Sequence, residues 1–305
     1  MTEPGRDEPQ APHTPQTAGL GTLARLLGAV VAPTSLLTAL LYFFGWNHTH
    51  WLFHEFGVNA TVLGFSATDY LVSSQNVLFV PLTVAALAGL AALWAHAALR
   101  ARITDGTGPR LLRYAVPAML LVGLVLMLAG IASIFTATVL ERYLAVPPLC
   151  LALGVLLLAY ARRLRSDPAA GRPGVAAVTE WAIVFLLVAI SLFWAVGDYA
   201  AAAGRTRAHR LAARLDQQPS AVLYSESSLS LAIPGVRETP CRDGKAAYRF
   251  RYDGLKLIVQ SADQYVFLPE TWNFTDGVAV LLPRSPKLRL EFLRAGRPAP
   301  AAPTC

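Results

Sequence analysis

Charge is scarce in this sequence: Asp, Glu, Lys and Arg make up 15% of 305 residues, against about 25% in an average soluble domain. Lysine is nearly missing and stands only at Lys245, Lys256 and Lys287. The formal net charge of +7 is therefore an arginine charge. Most of those arginines flank apolar blocks, where they set membrane orientation, so nucleic acid is not an expected partner. Also absent are a Walker A or GxGxxG phosphate loop, a GxSxG elbow, a kinase signature and any CxxC pair. With none of them present, an enzyme is not expected and no cofactor is called for. The apolar blocks lack mid-depth ionisable residues of the sort that pumps and transporters keep in the membrane at a cost. Glu180 and Asp198 sit towards opposite ends of one block, and His96 near the end of another.

What is present is apolar. Hydrophobic residues make up 54% of the chain and the mean hydropathy is +0.45. They gather in blocks of about 20, enough to cross a hydrocarbon core about 30 Å thick. The expected fold class is a membrane α-helical bundle of about five transmembrane helices plus a small C-terminal antiparallel β domain. The spans are placed at 26–46, 77–99, 114–140, 144–161 and 175–196. Residues 1–20, rich in Pro, Thr and Gln, are expected to be a disordered tail without a cleavable signal pattern. The connectors after spans two and four each hold four arginines, whereas those after spans one and three hold none and one, Arg142. The positive-inside rule then predicts a plasma-membrane protein with a cytoplasmic N-terminus and an extracytoplasmic C-terminal domain. Arg205, Arg207, Arg210 and Arg214 follow span five in a helical stalk, 199–218, suited to lifting the next domain off the membrane or to meeting anionic headgroups.

From 219 to 294 the pattern changes to alternating strands. Tyr248, Phe250 and Tyr252, then Asp253-Gly254, then Leu255, Leu257 and Val259 predict a hairpin with a tight turn at the Asp-Gly pair. A turn at Ser261-Ala262-Asp263 leads into a strand at 265–268, so the region reads as a meander or a partly open barrel. The tail 295–305 is expected to be disordered.

Two groups of residues are candidate sites. His48, His50, His54 and Glu55 lie within eight residues of each other, a density that invites a metal ion, with Asp69 further along the same loop. Membrane-enzyme chemistry would use the same cluster. The plainer reading is an interfacial helix with Trp46, Trp51, Phe53 and Phe56 in the headgroup layer. Cys241 and Cys305 both fall on the outer side, where an oxidising compartment allows a disulfide, whereas Cys150 lies inside an apolar block. Asn47, Asn59 and Asn273 begin N-x-[ST] triplets on the same side, without an expected glycan. Gly123 with Gly130, and Ala85 with Gly89, suit close helix packing.

The stretch FGVNATVLGFSATDYL after the first span, together with YDGLKLIVQSADQYVFLPETW near the end, resembles a group of multipass membrane proteins of high-GC Gram-positive bacteria that has no assigned activity. The resemblance covers residues 25–293 and implies architecture and location, but no site residues. The functional expectation is a non-enzymatic binding or accessory protein, with the lipid bilayer and an envelope component or another membrane protein as partners. A transporter or channel subunit is the alternative.

Overall fold

The computed structural model of the chain describes residues 17–104, 108–135, 145–165, 174–243, 246–261 and 263–294. The tail before Thr17, the connector Glu141-Arg142-Tyr143, the loop with Arg172, Lys245 and the tail 295–305 with Cys305 lie outside the described residues. The chain divides into two units, Met1–Ala39 and Leu40–Cys305.

Five long helices come first: α1 (Thr17–His54), α2 (Ala67–Thr104), α3 (Gly108–Phe135), α4 (Val146–Arg165) and α5 (Gly174–Ala212). Among the described residues four segments are long and apolar enough to cross a membrane: Pro81–Ala98, Arg113–Phe135, Val146–Arg165 and Ala177–Ala212. The count is four where the sequence predicts five. The helix left out is α1, which is helical across 26–46, although most of its side chains before Thr34 lie outside the described residues. In the unit Met1–Ala39, Thr34 and Thr38 turn their hydroxyls back onto the carbonyls of Val31 and Thr34, each at 3.0 Å. A helix hides polar groups in hydrocarbon in this way.

In the second unit, α3 and α4 pack through glycine. A Cβ on Gly154 would stand 2.6 Å from the Met127 nitrogen and 2.8 Å from the Gly123 oxygen, and one on Gly130 would meet Leu151 at 2.9 Å. Only hydrogen fits there, so backbone meets backbone. The other expected small pair behaves differently: Gly89 has nothing within 4 Å, and none of Pro81–Ala98 is buried within the chain. Between α2 and α4, His96 Nδ1 and the Tyr160 hydroxyl share a hydrogen bond of 2.7 Å. Between α4 and α5, Arg162 pairs with Glu180 at 3.3 Å.

The helices overrun their predicted spans, α2 and α5 most informatively. The start of α2 is fixed ten residues before the expected span by a reciprocal cap: the Ser66 amide donates to the Asp69 carboxylate at 2.8 Å, and the Asp69 amide donates to the Ser66 hydroxyl at 3.2 Å. At its C-terminal end, α5 continues unbroken to Ala212 and absorbs most of the expected stalk.

The C-terminal domain is antiparallel, as expected, with strands β1 (Ser220–Ser225), β2 (Arg237–Pro240), β3 (Phe250–Gln260), β4 (Gln264–Pro269), β5 (Val280–Pro283) and β6 (Leu288–Leu293). Their order is β5-β4-β3-β1-β6, with β2 also on β3. It is not a simple meander, because β1 inserts between β3 and β6. The expected Asp253-Gly254 hairpin is absent too. β3 runs through the pair as one strand of 11 residues. Its partner β1 shifts register there, from Ala221 opposite Leu255 to Leu223 opposite Tyr252. Gly254 takes the positive φ of 88° in that irregularity rather than in a turn, and any Cβ on it would meet the Gly235 carbonyl. A bulge bends the strand, so its first half pairs with β2 and its second half with β4.

Alternation along β4 sends its side chains to two cores. Phe267 joins Leu223, Tyr252 and Leu255 in one, and Val266 and Leu268 join the other. That second core is shared. It holds Phe53, Phe56, Val58 and Leu63 from the end of α1 and the following loop, Ala208 from α5, and Leu215 from the turn after it. The loop after α1, the end of α5 and the sheet therefore form one body. The stalk is a packing face and not a bare spacer.

Candidate functional site

The helix α5 presents three stripes near its C-terminal end, and together they organise the site. Small residues at i, i+3 and i+4 spacing, Gly197, Ala200, Gly204 and Ala208, form the first. This stripe receives α1: a Cβ on Gly204 would lie 2.6 Å from the His48 carbonyl oxygen, and one on Gly197 3.3 Å from the Asn47 amide. At about 100° per residue, the side chains of Trp194, Asp198, Ala201 and Arg205 fall on one flank of this seam, and those of Tyr199, Ala203, Arg207 and Arg210 on the other.

The first flank walls a cavity of about 790 Å³. Phe43, Asn47 and Trp51 of α1 face Phe193, Trp194, Asp198 and Arg205 of α5 across it, and Ser133 and Pro147 close it from α3 and α4. Three of the polar side chains that line it have internal partners. The Asn47 amide donates to the Gly197 carbonyl at 3.5 Å. The Ser133 hydroxyl donates to Gly130 at 2.7 Å. The Arg205 guanidinium lies 3.9 Å above the Trp51 ring and 3.8 Å from Glu55. Asp198 is half-buried and has no ion pair or hydrogen bond among the described residues. Aromatic faces around a lone carboxylate suit a cationic head group on an apolar body.

The histidine cluster does not converge. His48 is buried, with its ring stacked on Phe44 at 5.8 Å. His50 stacks on Trp46 at 5.6 Å, and exposed His54 lies 6.0 Å from His50, centroid to centroid. Glu55 turns to Arg205 and, at 3.7 Å, to His209. Among the described residues no three His, Cys, Asp or Glu side chains gather as a metal site would. Asp69 is spent on the α2 cap, and its two bonds from Ser66 hold its carboxyl below the usual range. Phe53 and Phe56, expected in the headgroup layer, are buried in the shared core, whereas Trp46 stays exposed. Asn59 and Asn273 use their side-chain oxygens on the backbone amides of Thr61 and Thr275.

In the sheet, two cations are buried with partners. Arg251 meets Asp253 at 2.7 Å. Lys256 donates to the Gln218 carbonyl at 3.0 Å and the Ser220 hydroxyl at 2.9 Å, and lies 3.2 Å from Glu270. These pairs hold the strand on both sides of Gly254. Cys241 is disulfide-bonded and Cys150 is free, whereas the expected partner, Cys305, lies outside the described residues.

Sequence reasoning treated Asp198 and Arg205 as a membrane-edge acid and a stalk base. Their i, i+7 spacing on one helix face was the signal that joins them. Compared with protein families, curated proteins and solved structures, the chain finds no match in any of the three.

Proposed function

We propose that this chain is a non-enzymatic plasma-membrane protein that holds an amphiphile with a cationic head group at the outer surface of the bilayer. Its rigid outer body then engages an envelope component or a neighbouring membrane protein. The reading assumes five spans, a cytoplasmic N-terminus and an extracytoplasmic sheet, and it draws on the arginine-rich connectors. One observation carries it: Asp198, without a partner among the described residues, in an aromatic cavity of about 790 Å³ between α1 and α5. A cavity of that size takes a drug-sized ligand, and its single free charge selects the sign of the head group.

The test is a titration of tryptophan fluorescence in nanodiscs, with Trp51 and Trp194 as reporters, using an alkyltrimethylammonium and an alkyl sulfate of equal chain length. Saturable binding of the cation alone, weakened in Asp198→Asn, supports the reading. Equal, unsaturable partitioning of both amphiphiles sinks it. Alkaline phosphatase fused after Leu293 is expected to be active, and fused after Arg165 inactive; the reverse overturns the orientation. The same cavity also serves the second reading, a transporter or channel subunit. Flux of the bound amphiphile across liposomes containing only this protein would favour that role.

A further inference from the structure

The other flank of the seam carries a second cavity, of about 560 Å³, with the opposite character. It is lined by Tyr199, Ala202, Ala203, Thr206, Arg207 and Arg210 of α5, with His48 of α1. Arg207 and Arg210 sit one helical turn apart and are exposed, and among the described residues neither has a carboxylate partner. Arg205, by contrast, is held on the first flank by Trp51 and Glu55. The arginines near the end of α5 thus differ in role, and Arg207 and Arg210 line one cavity. The decisive feature is His48. It is 1% exposed, and among the described residues neither ring nitrogen has a hydrogen-bond partner. A buried polar side chain without a partner is rare and calls for a group that the chain alone does not supply.

We propose that this cavity binds a phosphate group, with Arg207 and Arg210 as paired cationic donors and His48 as a further donor beneath them. Two guanidiniums and an imidazole N–H suit a tetrahedral oxyanion with several acceptor oxygens. Thr206 already donates its hydroxyl proton to the Ala202 carbonyl at 2.7 Å, so it narrows the cavity without adding a donor. The phosphate is that of an anionic phospholipid head group or free phosphate, and one experiment separates the two. The site does not depend on the cationic amphiphile proposed for the first cavity.

The full-length protein is placed in nanodiscs of phosphatidylcholine, with or without phosphatidylglycerol, and separately with inorganic phosphate added. Melting temperature and lipid retained in native mass spectrometry are read. Stabilisation by phosphatidylglycerol only assigns a head group; stabilisation by inorganic phosphate assigns the free ion. In either case the double variant Arg207→Gln/Arg210→Gln is expected to weaken binding about thirtyfold, the effect of losing two headgroup-facing cations. Its melting temperature in phosphatidylcholine alone should match wild type. His48→Phe, which keeps the stack on Phe44, is expected to weaken binding while preserving the fold. Arg214→Gln, outside the cavity, is the control and should leave binding unchanged. The proposal is overturned if neither phosphate source stabilises the protein, if the double variant binds like wild type, or if Arg214→Gln weakens binding as much as the double variant.

Discussion

Replacing Phe56 by alanine should unlock the sheet from the membrane helices, although Phe56 belongs to neither. The residue is 2% exposed and meets Trp272 edge-on at 5.1 Å. It belongs to the same core as Leu63 of the loop, Leu215 just after α5, and Val266 and Leu268 of β4. Truncating a buried phenylalanine costs about 3–5 kcal/mol, because the transfer free energy is lost and a cavity is left. At about 1.4 kcal/mol per factor of ten, even the lower figure raises the opened population more than about a hundredfold. Limited proteolysis in nanodiscs reads that population when opening is faster than cleavage. The expected result is rapid cutting within 220–293 in Phe56→Ala, with the helical bundle left protected. Val62, in the same loop but 54% exposed, is the control. Val62→Ala should stay within about 0.5 kcal/mol of wild type. If Phe56→Ala resists protease like wild type, or Val62→Ala is equally sensitive, Phe56 does not fasten the sheet to the helices.

Further outcomes follow from other parts of the structure. Gly154→Leu places side chain where backbone already lies 2.6 Å away, so thermal melting should show a loss beyond the about 1–3 kcal/mol of ordinary overpacking. Gly89→Leu, with nothing within 4 Å, should be neutral or gain up to about 1 kcal/mol of helix propensity; equal losses in both variants would discredit the packing argument. His48, two residues beyond the expected first span, has its pKa pushed down to about 4 by burial and, next, by the charge of Arg207. The unfolded chain takes up that proton first, so stability is full above about pH 6.5 and falls by about 1.4 kcal/mol per unit as the pH drops towards 4. His48→Phe should flatten that slope in urea melts recorded from pH 7 to 5; an unchanged slope would place the titration elsewhere. Under denaturing, non-reducing conditions a thiol titration should find Cys150 alone, since Cys241 is disulfide-bonded; three reactive thiols would refute the bond.

Much of the architecture was legible because it rests on short-range rules. Runs of Leu, Val and Ala gave the apolar helices, Gly123 and Gly130 marked the tight α3–α4 seam, and Ser261 marked the β3–β4 turn. Where local signals failed, a long-range partner had overridden them. Asp253-Gly254 reads as a hairpin only if both flanking runs lack other partners, and β1 already pairs across the bulge. Phe53 and Phe56 read as headgroup aromatics because nothing nearby in sequence says that β4, over two hundred residues later, will cover them. The histidines illustrate the opposite error. Their closeness along the chain suggested one site, but a helix with 3.6 residues per turn points His48 and His50 apart. The carboxylate that does face a cavity, Asp198, was visible but looked like an edge residue. Its company was set by the α1–α5 seam.

The shared outer core also bears on how the protein is made. Phe53, Phe56 and Leu63 leave the ribosome early, and Val266 and Leu268, which complete their core, leave near the end. Until every intervening helix is inserted and the sheet has folded, the loop shows bare aromatic surface of the kind that chaperones and proteases recognise. A chain truncated before β4, or threaded with one helix too few, never hides that surface. The core thus acts as a built-in inspection point, in which the last strands synthesised certify the topology of the first helices.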